Sequence, residues 1–312
     1  YSTLPNAEEM KLIPGCKNIK IASRTNQRII MLNKGADDKG FMVCKDCGAA
    51  MPGDDIAVLK NIERPYKLRF AKSKCRHANT FNVNLGYDFI TDMLVLEFTI
   101  DDKVIDVRRK DNPWLSRAAQ SLAEALRLVA SKKLDVEFTE LVTGYRLRTG
   151  SEASYIDIYL YDSLSSGAGY AVSVADSITD LLADVREMLS ACDCGAACSK
   201  CLKHYRNQFV HGKLDRFAAL QLLKLGVDGK KASPLNVATQ IKMIMPLVNI
   251  LKESGCDITF DEAIIASGRR TKKIVVYPAM WVEPKDIDTI FVSDAYIKYA
   301  KPYAVQKILD NI

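Results

Sequence analysis

Four cysteines fall within ten residues, at Cys192, Cys194, Cys198 and Cys201, in the segment Cys-Asp-Cys-Gly-Ala-Ala-Cys-Ser-Lys-Cys. Four thiolates on one short loop can surround a single zinc ion tetrahedrally without a ligand from elsewhere in the chain. The alternatives are disulfide pairs, which require an oxidising compartment, and an iron–sulfur cluster. We favour zinc, because the total of nine cysteines is odd and the sequence has no motif for a redox partner.

A second set of possible zinc ligands lies nearer the start of the chain. Cys44 and Cys47 form a Cys-x-x-Cys-Gly turn, and Cys75 and His77 follow after 27 intervening residues. Gly48 suits a turn in which backbone N–H groups face sulfur. Because the return spacing is long, a hairpin turn with reduced surface thiols is the alternative. The cysteine pattern therefore predicts one zinc ion, with a second as a hypothesis.

Bulk composition limits the class of protein. The chain has 312 residues, 48% of them apolar, which is enough for one large domain or two with a substantial core. It contains no apolar run of about 18 residues and no signal peptide, so we expect a cytoplasmic protein without a membrane partner. The net charge of +6 permits nucleic-acid binding without establishing it. Because the chain starts at Tyr1 and not at Met, we expect a piece of a longer polypeptide.

Hydrophobic periodicity predicts an α+β fold. Alternating residues 81–89 and the apolar run 91–100 indicate an antiparallel strand pair, and residues 114–131 have helical spacing. The other predicted elements are strands at 29–32, 40–43, 134–147, 155–161, 257–260, 273–277 and 289–292, and helices at 174–189, 214–225, 237–252 and 294–310. We expect a mixed, mostly antiparallel sheet with packed helices and a four-cysteine zinc knuckle, plus a smaller C-terminal α/β unit.

Changes in composition predict the domain boundaries. Residues 1–13 have the character of a linker, and residues 226–233 form a Gly/Lys-rich break. We therefore predict a zinc-binding domain over 14–232, in which 14–80 holds the possible N-terminal knuckle, and a small α/β domain over 233–312.

Two further groups of residues carry chemistry. Beside the cysteines lies a basic and aromatic stretch that can contact phosphates and bases, or form a solvated helix face: Lys200, Lys203, Tyr205, Arg206, Lys213 and Arg216. Three aspartates, Asp92, Asp157 and Asp162, are the basis of an alternative hypothesis, a metal-dependent nuclease. Since Asp157 and Asp162 are an odd number of residues apart on one predicted strand, they should face opposite sides.

The order of several short motifs is similar to a known family. Thr91-Asp92, Tyr161-Asp162, Gly167-Ala168-Gly169-Tyr170, the four cysteines and a trailing Tyr-Arg-Asn-Gln…His…Leu-Asp-Arg run occur in that order. This order resembles the MrfA-type zinc-binding (MZB) domain over roughly residues 87–225. That domain lies on the C-terminal side of bacterial superfamily 2 helicases and in helicase-associated proteins of anti-phage defence systems such as DISARM and Druantia.

The resemblance implies that Cys192, Cys194, Cys198 and Cys201 hold zinc, and that a superfamily 2 helicase motor acts in cis or in trans. The sequence has no Gly-x4-Gly-Lys-Ser/Thr loop and no Asp-Glu-x-His box, so we expect no ATPase activity from this chain. The predicted function is a non-enzymatic accessory region of a defence or DNA-repair protein, which positions DNA or a partner subunit against the motor. A nuclease module and a zinc-stabilised protein scaffold are the alternatives.

Overall fold

The structure is a computed structural model that describes residues 9–62, 75–105, 112–150 and 153–312. Within these residues the chain forms two compact units, one over 26–91 and the other over 9–25 together with 92–312. Most of the predicted linker, residues 1–8, lies outside the described residues. The rest of it is ordered, since β1 (Lys11–Leu12) pairs with β2 (Ile19–Asn33) and Ile13 is fully buried.

The smaller unit is built on a three-stranded antiparallel sheet. Its central strand β3 (Phe41–Cys44) lies between β4 (Ala50–Pro52) and β5 (Thr80–Val83). A short helix α1 (Ile56–Lys60) starts where the Asp55 carboxylate accepts a hydrogen bond from the backbone N–H of Ala57. Among its described residues, the core contains five buried ones: Met42, Cys44, Cys47, Ala49 and Leu59.

A five-stranded sheet in the order β1-β2-β6-β8-β7 lies mostly in the larger unit. The strands β6 (Leu85–Ile100) and β7 (Leu141–Thr149) both pair antiparallel with β8 (Ser154–Asp162). The predicted α+β class is therefore confirmed. The predicted break between residues 89 and 91 is wrong, because β6 is one strand of 16 residues whose neighbours in the sheet are distant in sequence.

Helices cover this sheet. The long helix α2 (Pro113–Leu134) packs against α4 (Ile178–Ala191) and α5 (Arg216–Asp228). It ends at Asp135, which has a positive φ of 53°, so the strand predicted from residue 134 starts only at Leu141. The predicted helix 174–189 is two helices, α3 (Tyr170–Asp176) and α4, because Ser177 leaves helical geometry.

The C-terminal segment has its own sheet and its own core. The helix α6 (Val237–Glu253) precedes β9 (Asp257–Phe260), β10 (Ile264–Ser267), β11 (Thr271–Tyr277) and β12 (Thr289–Ser293). Only β11 and β12 pair parallel among the described strands of this sheet. The strand β10 was not predicted.

The final helix predicted at 294–310 is in fact two helices, α7 (Asp294–Tyr299) and α8 (Lys301–Leu309). The break falls at Ala300, because Pro302 in the first turn of α8 has no backbone N–H with which to continue α7, and its ring would clash with the carbonyl of Lys298 in an unbroken helix. Among the described residues, no helix has the length and apolar character that crossing a membrane requires.

Candidate metal centres and the adjoining surface

The four sulfur atoms of Cys192, Cys194, Cys198 and Cys201 lie within 4.8 Å of one another. Neighbouring sulfurs are separated by 3.5 Å (Cys192–Cys198), 3.7 Å (Cys194–Cys201) and 3.8 Å (Cys198–Cys201). A tetrahedral zinc site with Zn–S bonds of about 2.3 Å has sulfur atoms about 3.8 Å apart. The spacing is too long for disulfides, whose sulfurs are about 2.05 Å apart, and all four thiols are free. The donor set and its geometry fit zinc.

The end of α4 and the start of α5 hold this loop in place. Cys192 is the C-cap residue of α4. The guanidinium of Arg216 donates hydrogen bonds to the carbonyl oxygens of Leu189, in the last turn of α4, and Cys194, in the loop, each at 2.9 Å. The Arg216 backbone N–H donates to the carbonyl of Ala196 at 2.7 Å. One buried arginine therefore joins the helix end to the loop that carries the ligands.

The second half of the loop is a sulfur-binding knuckle. The carbonyl of Cys198 accepts hydrogen bonds from the backbone N–H groups of Cys201, Leu202 and Lys203, and the Cys198 N–H faces the sulfur of Cys201 at 3.4 Å. A hydrogen bond from the backbone of Cys194 lowers the pKa of the Cys192 thiol to about 7. Burial raises the pKa of Cys201 to about 12 and also raises that of Cys194. A bound cation would offset the cost of holding these buried sulfurs as thiolates.

The second predicted group also comes together, in the smaller unit. Ligand atoms of Cys44, Cys47, Cys75 and His77 lie within 4.8 Å of one another. The Cys44 and Cys75 sulfurs are 3.7 Å apart, and the Cys47 sulfur lies 3.4 Å from Nδ1 of His77. Tetrahedral zinc with three sulfurs and one nitrogen requires S–N distances of about 3.6 Å. Three thiols and an imidazole therefore also fit zinc.

The Cys-x-x-Cys-Gly turn has the geometry that its sequence predicts. Gly48 has a φ of 77°, and its N–H donates to the carbonyl of Cys44 at 2.8 Å. Burial raises the pKa of the Cys47 thiol to about 11. Burial also opposes ionisation of Cys44, but hydrogen bonds from His77 and from the turn backbone outweigh it and bring the Cys44 pKa to about 7.

The predicted basic and aromatic stretch divides into an exposed part and a buried part. Most of it lies at the surface: Lys200, Tyr205, Arg206 and Lys213 are exposed and Lys203 is half-buried. Arg216 is different, because its side chain is buried and donates to the carbonyls that hold the zinc loop. We therefore remove Arg216 from the set expected to contact DNA. The sequence interpretation also missed Phe209, which is 78% exposed beside Tyr205 at 74%.

A network of polar groups holds this surface rigidly. Residues Tyr205–Lys213 form a 3-10 helix that is kinked near its start at Asn207, whose side chain is fully buried. The Asn207 amide donates to the Glu124 carboxylate of α2 at 2.9 Å and to the Leu202 carbonyl at 3.0 Å. Its oxygen accepts from the backbone N–H of His204 and lies 2.9 Å from Nε2 of His211. Asn207 and His211 therefore have a structural role: they hold the 3-10 helix in place.

The structure does not bring the three aspartates into one site. Asp157 binds Arg146 and Arg148 in a buried ion-pair network. Asp162 accepts hydrogen bonds from the backbone N–H groups of Ala168, Tyr170 and Ala171, and Asp92 accepts one from Gly169. Within the described ranges, none of these three aspartates belongs to a group of three or more side chains that could hold a metal ion. The Asp92 and Asp162 carboxylates instead hold the glycine loop before α3.

Residues 122–202 match the family model of the MrfA Zn-binding domain. That match includes all four clustered cysteines, and the resemblance inferred from the sequence is confirmed. The chain is also 31% identical over 294 residues to Druantia protein DruE of Escherichia coli (strain UMEA 4076-1). The alignment covers 86% of this chain and 16% of DruE, so the chain spans about one sixth of the length of that relative.

Two crystal structures of the DUF1998 helicase MrfA are also similar. The complex with DNA has a TM-score of 0.37 at 15% identity and covers 65% of this chain and 25% of that protein. The complex with DNA and AMPPNP has a TM-score of 0.33 at 12% identity, with 65% and 22% covered. The zinc prediction is confirmed, since the matched domain binds zinc and both clusters offer suitable donors. The assignment of each individual ligand stays a prediction.

Proposed function

We propose that this chain is the zinc-stabilised accessory region of a helicase-type defence protein, and that the surface beside its four-cysteine site contacts DNA. We name this surface the knuckle face and define it as Lys200, Lys203, Tyr205, Arg206, Phe209 and Lys213. The support for a helicase-type parent is the match of residues 122–202 to the MrfA Zn-binding domain, together with the similarity to Druantia protein DruE.

The single observation that carries the DNA proposal is the chemistry of the knuckle face. Four cations lie within nine residues in sequence of two aromatic residues whose side chains are 74% and 78% exposed. A base can stack on an exposed aromatic ring. Lysine and arginine beside the rings can neutralise the phosphates that accompany the bases. This combination suits a single strand, whose bases are accessible.

The rigidity of the knuckle face supports the same proposal. The buried amide of Asn207 fixes the 3-10 helix to α2, and the ring of His204 stacks on Phe138 with centroids 4.2 Å apart. Because the exposed side chains project from a backbone that is already ordered, little conformational entropy is lost when a strand binds. Zinc would complete this support by closing the adjacent loop.

The test is a fluorescence anisotropy titration of single-stranded and duplex DNA at several salt concentrations. Replacing Lys203 and Arg206 together by Ala should weaken binding to all sequences and flatten the log–log salt slope by about 1.4 on single strands. Replacing Tyr205 or Phe209 by Ala should cost about 1–3 kcal/mol on single strands and less on duplex.

The matched control replaces Lys230 and Lys231 by Ala, since both lysines are exposed and lie outside the knuckle face. It removes the same charge and should leave the binding curve close to that of the wild type. If the two double variants bind DNA equally, the knuckle face does not contact DNA. A knuckle-face variant that binds DNA normally but no longer associates with the helicase motor would identify a protein-docking surface.

A further inference from the structure

A cavity of 600 Å³ lies in the larger unit, among helices α2, α5, α6 and α7. Cavities of about 300–1,000 Å³ with apolar walls and a few converging polar groups are typical of small-molecule sites. No residue of the four-cysteine cluster lines it, and no residue of the knuckle face does. Its chemistry is therefore a separate question from zinc binding and from the proposed DNA contact.

The walls of the cavity offer flat apolar surfaces. Trp114, Phe217 and Tyr299 all line it. The Trp114 indole N–H donates to the Gln221 amide oxygen at 2.6 Å, which fixes the orientation of that ring. Phe217, in the first turn of α5, is 43% exposed, and its ring is held by the Arg216 guanidinium at 3.9 Å and the Lys298 ammonium at 5.5 Å from the ring centroid. A planar group that enters the cavity can pack against the part of this ring that the two cations leave exposed.

The charged groups of the cavity leave an excess of positive charge. Arg117, Lys242, Lys298 and Lys301 line it against two carboxylates, Asp215 and Asp294. Asp215 is already occupied, because it caps α5 and accepts hydrogen bonds from the hydroxyl of Tyr299 and from Lys298. Asp294 accepts a hydrogen bond from the backbone N–H of Ala279, and burial raises its pKa.

Two of the four cations have no assigned structural task. The guanidinium of Arg117 lies 3.5 Å over the Tyr299 ring and donates to the Gly212 carbonyl at 2.7 Å, and Lys298 binds Asp215. Lys242 and Lys301 are exposed. The ammonium group of neither side chain forms a hydrogen bond or an ion pair with any of the described residues. These two ammonium groups are available to a ligand.

We propose that this cavity binds a nucleoside phosphate, with its phosphate at Lys242 and Lys301 and its base against Phe217. A phosphate on a flat base uses both halves of the site, whereas an inorganic anion uses only the lysines and an uncharged aromatic molecule uses only the rings. The ligand can come from two sources, a free nucleotide or the phosphorylated end of a DNA strand.

Isothermal titration calorimetry of the zinc-loaded chain tests this proposal, with dAMP and deoxyadenosine as probes. We expect dAMP to bind and deoxyadenosine to bind at least about tenfold more weakly, because it lacks the charged acceptor. Replacing Lys242 and Lys301 together by Ala should weaken dAMP binding by about tenfold or more while leaving zinc content and thermal stability unchanged. The double variant at Lys230 and Lys231 is the charge-matched control. Phe217→Leu should weaken both probes.

Oligonucleotides with a 5′-phosphate or a 5′-hydroxyl distinguish the two sources. A preference for the 5′-phosphate that disappears in the Lys242/Lys301 variant indicates a strand end, and binding of dAMP alone indicates a free nucleotide. Either result supports the site. The proposal is overturned if no dAMP binds up to about 1 mM, the weak limit of specific association, or if the Lys242/Lys301 variant binds dAMP as the wild type does. The variant at Lys203 and Arg206 should retain dAMP binding, so failure of this site and failure of the knuckle face give different results.

Discussion

The two ligand clusters differ in the support that surrounds them. The four-cysteine cluster is closed by one short loop between α4 and α5, and Cys201 belongs to the large hydrophobic core of its unit. The Cys44/Cys47/Cys75/His77 cluster joins segments that are far apart in sequence, over a core in which the part of the unit that the structure describes has five buried residues. Two of those five, Cys44 and Cys47, are themselves ligands.

This contrast teaches how much of the folding free energy a metal must contribute. A small core rarely stabilises a unit by itself, and a structural metal then supplies much of the missing free energy. A large core next to a metal loop folds without that help, and the metal orders only the loop. We therefore expect zinc to decide whether the smaller unit folds, and to decide only local order beside α4 in the larger unit.

The largest expected effect comes from removing one ligand at each site in turn. Cys47→Ser should reduce zinc from about two ions per chain to about one and abolish amide-exchange protection across β3, β4 and β5, because the metal-binding free energy is there the folding free energy. Cys201→Ser should also remove one zinc, yet leave protection in α2 and β8 unchanged. Native-state hydrogen exchange with metal analysis measures both. Protected β3–β5 strands in Cys47→Ser would contradict the comparison.

The second prediction concerns the arginine that supports the four-cysteine loop. Arg216→Ala leaves the carbonyls of Leu189 and Cys194 without their charged donor, so we expect the free energy of unfolding of the larger unit to fall by about 2–4 kcal/mol. A chelator should then take zinc from this site faster than from the wild-type protein. Urea unfolding and chelator competition provide the measurements. An equal rise in zinc loss from the smaller unit would show that the effect is not local.

The third prediction uses pH to separate the sites. Zinc binds thiolates, so lowering the pH favours the protonated, metal-free form. Burial raises the pKa of both Cys201 and Cys194 in the first site, but only that of Cys47, to about 11, among the shifted thiols of the second. The four-cysteine site must release protons from four thiols, whereas the second site releases them from three because its fourth donor is an imidazole. Between pH 8 and pH 7, zinc affinity should therefore fall more steeply at the four-cysteine site, by up to about one extra proton or about tenfold per pH unit.

That difference in slope can be measured by competition with a zinc indicator, using Cys47→Ser and Cys201→Ser to isolate each site. Equal slopes would mean that the two sites bind zinc with the same number of displaced protons.

The smallest expected effect is that of Lys298→Ala. Lys298 reaches the Gly195 carbonyl of the zinc loop at 3.4 Å and pairs with Asp215 at 3.1 Å, but its side chain remains 42% exposed. Exposed ion pairs contribute little, so zinc retention should change by less than about 1 kcal/mol. The same chelator competition compares it directly with Arg216→Ala. A loss as large as that of Arg216→Ala would make Lys298 an equal support of the loop.

Much of the metal chemistry could be predicted from the sequence, because it depends on local spacing. A loop of ten residues can hardly place Cys192 and Cys201 far apart, and Gly48 follows its knuckle whatever the rest of the chain does. Helices with strong periodicity, such as α2 and α6, were predicted for the same reason. The break between α7 and α8 could have been predicted too, since Pro302 signals it.

Other features depend on residues that are distant in sequence. Arg216 looked like a surface cation beside other cations, and only the packing of α5 against the end of α4 turned it inward. Phe209 gave no signal because one aromatic residue in a polar run is more often packed than exposed. The sequence pattern predicts two strands where β6 is a single long one. Its length depends on pairing with β2 and β8, which are distant in sequence, and not on the local pattern.

The sequence by itself therefore determined the chemistry that short segments carry: two sets of zinc donors, an α+β pattern and a basic stretch beside the main cluster. Only the tertiary structure decided which cations face water, which carboxylates support backbone amides, and that Lys242 and Lys301 meet at one cavity. The physical reason is the distance along the chain over which each interaction acts. Metal ligation by one loop and backbone capping act over a few residues, whereas burial and charge balance depend on every element that packs nearby.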